Sequence, residues 1–148
     1  SPWASDYQQW LASIFSASNS QAIAHVILGA YGLNARLQKI LEVITAEAWE
    51  TEKLRLPEHA SNEEKEANQA SLSKHQRSRL LAEIGKRTNE FARELERLNP
   101  GRLPVSALHR SRLALEHCAG LLSLNFNQSA AIEGFLLQSM RIWRSAKG

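Results

Sequence analysis

Cysteine and aspartate are nearly absent from this chain, which has one of each. The single thiol, Cys118, excludes an internal disulfide and any metal site built from several cysteines. Because Asp6 is the only aspartate, a carboxylate-rich magnesium site would need glutamates alone. No apolar run reaches the roughly 18 residues that a bilayer span needs. The start at Ser1 also lacks the basic and apolar regions of a secretory signal, so we expect a cytoplasmic protein without membrane association.

The usual signatures of bound metals and cofactors are missing as well. No histidine lies three residues after a glutamate, which removes the Glu-x-x-His pattern of a di-iron bundle. No His-Glu-x-x-His segment occurs, and the glycines at positions 29 and 32 lack the lysine and spacing of a phosphate loop. We therefore expect neither a metal nor a cofactor.

Amphipathic helix is what the sequence has in abundance. Over residues 23–48, steps of three and four place apolar side chains on one helix face, with only Asn34 polar. A second run over 81–98 does the same with only Thr88 polar, and no segment shows the strict alternation of a strand. The predicted core positions of the two runs are Ile27, Ala30, Leu37, Leu41, Ile44, Ala48, Ile84, Phe91, Leu95 and Leu98.

Local signals divide the chain into five helices within one domain, 1–148. We predict helices over about 6–16, 21–55, 62–98, 105–124 and 128–145, with the third packed on the core only from about residue 79. The second helix continues through Gly29 and Gly32, because the heptad phase survives them, and the small residues allow another helix to approach closely. The later helices contribute the predicted core residues Leu108, Leu113, Leu115, Cys118, Leu121, Leu122, Ile132, Phe135, Leu136, Met140 and Trp143.

The polar segment 58–76 has two interpretations. It is either a mobile loop or the start of a projecting third helix, for which Ser61 and Glu64 would form the capping box. The predicted fold is an all-α antiparallel bundle of four long helices plus a short N-terminal aromatic amphipathic helix. The long second helix could project and pair with a second subunit.

An aromatic stripe marks the N-terminal helix, which we expect to begin near Asp6 with Ser5 as its cap. Trp3, Tyr7, Trp10 and Ile14 follow one another in steps of four, three and four, with almost no charge nearby. They are either an element of the core or a surface that docks on a protein partner.

Charge is unevenly distributed. The net charge is +3, of which residues 1–70 contribute −4 (five bases, nine acids) and residues 71–148 contribute +7 (thirteen bases, six acids). A basic half can meet a phosphate backbone, although a solvated helix surface has the same composition. The candidate nucleic-acid contacts are Lys74, Arg77, Arg79, Lys86, Arg87, Arg110, Arg141 and Arg144.

One constellation on the fourth helix resembles a catalytic motif. Arg112 and His117 have the Arg-x-x-x-x-His spacing, which is similar to the signature of HEPN domains, helical bundles that often cut RNA without a metal. The resemblance implies that Arg112 binds phosphate and His117 moves protons across a dimer, with Arg110 assisting. It covers six residues, and Leu113 stands where the family often has a polar residue.

The remaining nucleophiles and bases favour structural roles. We expect Cys118 to be a buried inert thiol, His25 to be a hydrogen-bonded core histidine, and His59 and His75 to be solvated. The sequence as a whole favours a non-catalytic helical interaction or assembly module that binds a protein partner, a second copy of itself, or both. A nucleic-acid backbone binder and a HEPN-like RNase are the alternatives.

Overall fold

Five α-helices make up most of the chain in the computed structural model, which describes residues 1–147. No strand occurs within those residues, so the all-α prediction is confirmed. No helix in this described part is both long and apolar enough to cross a membrane. The helices are α1 (Pro2–Ser16), α2 (Ser20–Glu52), α3 (Asn62–Leu98), α4 (Val105–Ser123) and α5 (Gln128–Lys147), with a 3-10 turn at Lys53–Arg55.

Side-chain caps explain where the helices begin. The Ser61 hydroxyl accepts from the Glu64 amide at 3.1 Å, so α3 begins at residue 62 and the helical interpretation of the polar segment is confirmed. The prediction that α1 begins near Asp6 is wrong. Its cap is Ser1, whose hydroxyl accepts from the Ala4 amide, and Pro2 suits the first turn because no N–H is needed there.

The two glycines do not break α2, which is one continuous helix of 33 residues. An added Cβ at Gly29 would lie 2.9 Å from Cδ1 of Trp10, so α1 does approach closely at this position. At Gly32 an added Cβ would meet nothing within 4 Å. The close-approach prediction is therefore confirmed at Gly29 and wrong at Gly32.

The helices surround α1. This short helix packs against α2, α3 and α5, while α4 packs against α3 and α5. The indole N–H of Trp3 donates to the Leu33 carbonyl and that of Trp10 donates to the Val26 carbonyl, both at 2.9 Å. Because the numbers rise on one helix as they fall on the other, α1 and α2 run antiparallel.

Both polar residues in the predicted apolar faces are buried and hydrogen-bonded. Asn34 donates from Nδ2 to the Ser129 carbonyl at 3.1 Å, which links α2 to α5. The Thr88 hydroxyl donates to the Ile84 carbonyl, so Tyr7 Oη is the donor to Thr88 Oγ1 at 2.8 Å. A buried polar group that is paired costs little. The Asn34–Ser129 bond fixes the register of α2 on α5, and the Tyr7–Thr88 bond fixes that of α1 on α3.

The aromatic stripe of α1 belongs to the core. Trp3, Tyr7, Trp10 and Ile14 are all buried within the chain, at most 6% exposed. This corrects the partner-docking interpretation of the stripe, because none of its side chains is open to another protein. The reason is tertiary: α1 lies between three helices, and its stripe faces them.

Three residues that the sequence predicted to be in the core lie on the surface instead. Leu98 is 61% exposed and Leu113 is 50% exposed, so both core predictions are wrong. Leu98 is the last residue of α3, where no further helix covers it. On α4 the buried face instead has Ala107, Ser111, Ala114, Cys118 and Leu122. His25 is also exposed rather than a core histidine, whereas His59 and His75 are exposed as predicted.

Candidate interaction surface

A two-helix projection, which we call the arm and define as residues 42–80, extends beyond the core. The last buried residue of α2 is Leu41 and the first of α3 is Ile84. Between them every side chain is exposed or only partly buried. Two helices that pack on each other cover only one face of each, so both flanks of the arm are open.

One flank contains the candidate site, a cavity of about 530 Å³ that we call the arm groove. Leu41 and Trp49 line it from α2, Ser73 and Arg77 line it from α3, and Gln128 closes its inner end. Trp49 and Arg77 are both partly buried. Sequence reasoning missed Trp49, since only the hairpin brings it to the same cavity as Arg77.

The inner end of the arm groove is held by a chain of amides. Gln38 donates to Asn34 Oδ1 at 3.0 Å, and Gln128 donates to Gln38 Oε1 at 2.6 Å. Because Gln128 begins α5, these bonds fix the turn between α4 and α5 beside the arm. That turn carries Leu124, 79% exposed, and Phe126, 49% exposed.

The opposite flank of the arm has a second groove of about 670 Å³. Its floor is apolar, with Ile40, Ile44 and Leu80, and its wall carries Arg79 and Glu83. Glu83 forms an ion pair with the Ser1 ammonium group at 3.2 Å. Arg79 therefore lies on the other side of the arm from Arg77.

The basic residues predicted to contact nucleic acid do not gather on one face. Arg87 is engaged by Gln8 at 3.2 Å and Glu90 at 3.7 Å. Arg110 and Arg112 lie two positions apart, a rotation of about 200° around a helix, and they line separate cavities. Lys74 and Arg77 belong to the arm, and the others, Lys86, Arg141 and Arg144, are exposed on α3 and α5.

The Arg-x-x-x-x-His pair is split in the same way. Five positions on a helix correspond to about 140° of rotation, so the side chains diverge. Arg112 lines a small cleft with Thr88 and Asn89 of α3, whereas His117 is exposed and has no part in that cleft. Within one chain, the two groups do not share a site.

The only thiol is unreactive by its surroundings. Cys118 is buried between α4 and α5, and Sγ donates to the Ala131 carbonyl at 3.5 Å. Burial raises the pKa of Cys118 to about 11, which keeps the thiol protonated at neutral pH. The predicted burial of Cys118 is therefore confirmed. Over residues 1–147, no three His, Cys, Asp or Glu side chains are grouped so that they could hold a metal ion.

No protein-family profile, curated protein or solved structure matches this chain.

Proposed function

We propose that the protein is a non-catalytic helical interaction module that binds a protein partner through the arm groove. The observation that carries this proposal is that Trp49 and Arg77 line one open cavity on an arm without a fully buried side chain. Tryptophan and arginine are the residues most enriched at the energetic centres of protein interfaces. Partial burial already restricts both side chains, so a partner would lose less conformational entropy on binding them.

Catalysis has less support from the same geometry. The arm groove contains one charged carboxylate, Glu42, and one guanidinium, Arg77, without a histidine or cysteine. A nucleophile or general base within reach of a second group would be needed for hydrolysis. For the RNase alternative, Arg112 would have to meet a histidine of another subunit. A nucleic-acid backbone as partner is favoured less, because the basic side chains lie on several faces.

The proposal is tested with two truncation variants, one inside the arm groove and one outside it. Trp49→Ala opens the arm groove, while Leu124→Ala removes a large exposed side chain from the neighbouring turn. Circular dichroism first establishes that both variants keep the helical content of the wild type. Extract with and without nuclease treatment is then passed over each immobilised protein, and the retained proteins are identified and quantified.

We expect a distinct set of proteins that the wild type and Leu124→Ala retain and Trp49→Ala loses. Large truncations at interface centres cost about 2 kcal/mol or more, a loss of roughly 30-fold in affinity. Equal retention by all three proteins would refute the arm groove as the binding site. Retention that disappears after nuclease treatment would favour the nucleic-acid alternative.

A further inference from the structure

One stripe of the arm has its acidic and basic residues in an order that would match a second, antiparallel copy of the same stripe, acid against base. Along α3, Glu63, Glu66, Ala70, Lys74 and Arg77 follow in steps of three, four, four and three, so they share one helix face. The stripe begins with two acids, has the smallest residue in its centre and ends with two bases. It borders the arm groove, because Arg77 lines that cavity.

None of these four charges is used inside the chain. Every intrachain ion pair that the described residues form involves other groups, so Glu63, Glu66, Lys74 and Arg77 have no partner among residues 1–147. Elsewhere on the arm, Glu50 and Lys53 pair at 2.6 Å. The stripe therefore has unpaired charges of both signs, with the acids and the bases at opposite ends.

We propose that this stripe, at the edge of the arm groove, packs against the same stripe of a second copy of this chain, with the two α3 helices antiparallel and Ala70 on the two-fold axis. This inference deepens the proposed function, on which it rests, by naming the partner. In this arrangement Glu63 faces Arg77 of the second copy and Glu66 faces Lys74. Two-fold symmetry repeats each pairing, whereas a parallel arrangement would set like charges against each other.

The small side chains determine how close the helices come. Ala67, Ala70 and Ser73 lie along the stripe between its charged ends. Helix axes approach to about 8 Å when the contact residues are small. At that separation the second α3 would lie along the edge of the arm groove that Arg77 lines.

The size of the surface predicts how strong the association is. The stripe from residue 63 to residue 77 is about 21 Å long at about 1.5 Å per residue, and two helices about 10 Å wide give a face of roughly 400 Å². A standard interface buries about 800 Å² on each partner. We therefore expect a reversible dimer that depends on concentration and weakens at high salt, where charges are screened within about 3 Å at 1 M.

Two charge-reversed proteins test the arrangement. The first carries Glu63→Lys and Glu66→Lys, and the second carries Lys74→Glu and Arg77→Glu. Sedimentation velocity over a concentration series measures the association of the wild type, of each variant and of an equimolar mixture. A control with Glu58→Lys and Glu64→Lys changes the net charge as much as the first variant, but off the stripe. Circular dichroism verifies that each protein is folded.

We expect the wild type and the control to dimerise, each reversed protein alone to lose at least 10-fold in association, and the mixture to regain it. The mixture is decisive because each reversed protein alone sets like charges against each other, whereas in the mixed dimer opposite charges face each other in both halves of the interface. A wild type that stays monomeric overturns the proposal, yet leaves intact any Trp49-dependent retention of another protein. A dimer that none of the reversals weakens, or a mixture that stays monomeric, also overturns it.

Discussion

The two glycines of α2 should respond differently to substitution by alanine: the free energy of unfolding should rise for Gly32→Ala, but not for Gly29→Ala. Alanine in a helix interior is favoured over glycine by about 1 kcal/mol, and this gain is common to Gly29→Ala and Gly32→Ala. At Gly32 nothing lies within 4 Å of the new methyl group. We therefore expect Gly32→Ala to stabilise the protein by the full amount.

At Gly29 the new methyl group would lie 2.9 Å from Cδ1 and 3.2 Å from Nε1 of Trp10. The indole cannot simply turn away, since it is 6% exposed and its N–H is bonded to the Val26 carbonyl at 2.9 Å. Overpacking of this kind costs about 1–3 kcal/mol, which offsets or exceeds the gain in helix propensity. Gly29→Ala should therefore be neutral or destabilising.

Chemical denaturation of both variants measures this difference. The expected gap of about 2 kcal/mol corresponds to roughly 4–8 °C in Tm for a domain of this size. A Gly29→Ala protein as stable as Gly32→Ala would refute the packing of α1 on α2 at this position. It would mean that Trp10 is free to move, and that its hydrogen bond to Val26 does not hold α1 in place.

Three further outcomes follow from buried and exposed groups. Burial raises the pKa of Tyr7, so the folded state keeps the phenol proton and the protein loses stability as pH rises above about 10, the pKa in the unfolded chain. Tyr7→Phe should lower the free energy of unfolding by about 1 kcal/mol at neutral pH and make the loss at high pH smaller. Tm measured across a pH series tests both effects. Native Cys118 should resist alkylation at pH 8 and react once urea unfolds the chain, and rapid native reaction would contradict its burial. Labelled RNA incubated in EDTA should stay intact with both wild type and His117→Ala, whereas cleavage by the wild type alone would support the RNase alternative.

The helices themselves could be predicted from the sequence, because helix formation is a local event. Backbone bonds join residues four apart, and a capping side chain such as Ser61 reaches only three residues along the chain. Pro57 and the Asn99-Pro100-Gly101 segment likewise end helices through their own backbone properties. For this reason the predicted bounds of α2 and α4 differ from those in the structure by only a few residues.

Which helix faces are buried was decided by the tertiary structure. The aromatic stripe of α1 is core because three helices surround it, and Leu113 is exposed because no helix covers that side of α4. Periodicity identifies an apolar face, but burial depends on where other helices lie. The same holds for the candidate sites. Arg112 and His117 are close in sequence and diverge, whereas Trp49 and Arg77 are distant in sequence and line one cavity because α2 and α3 form a hairpin.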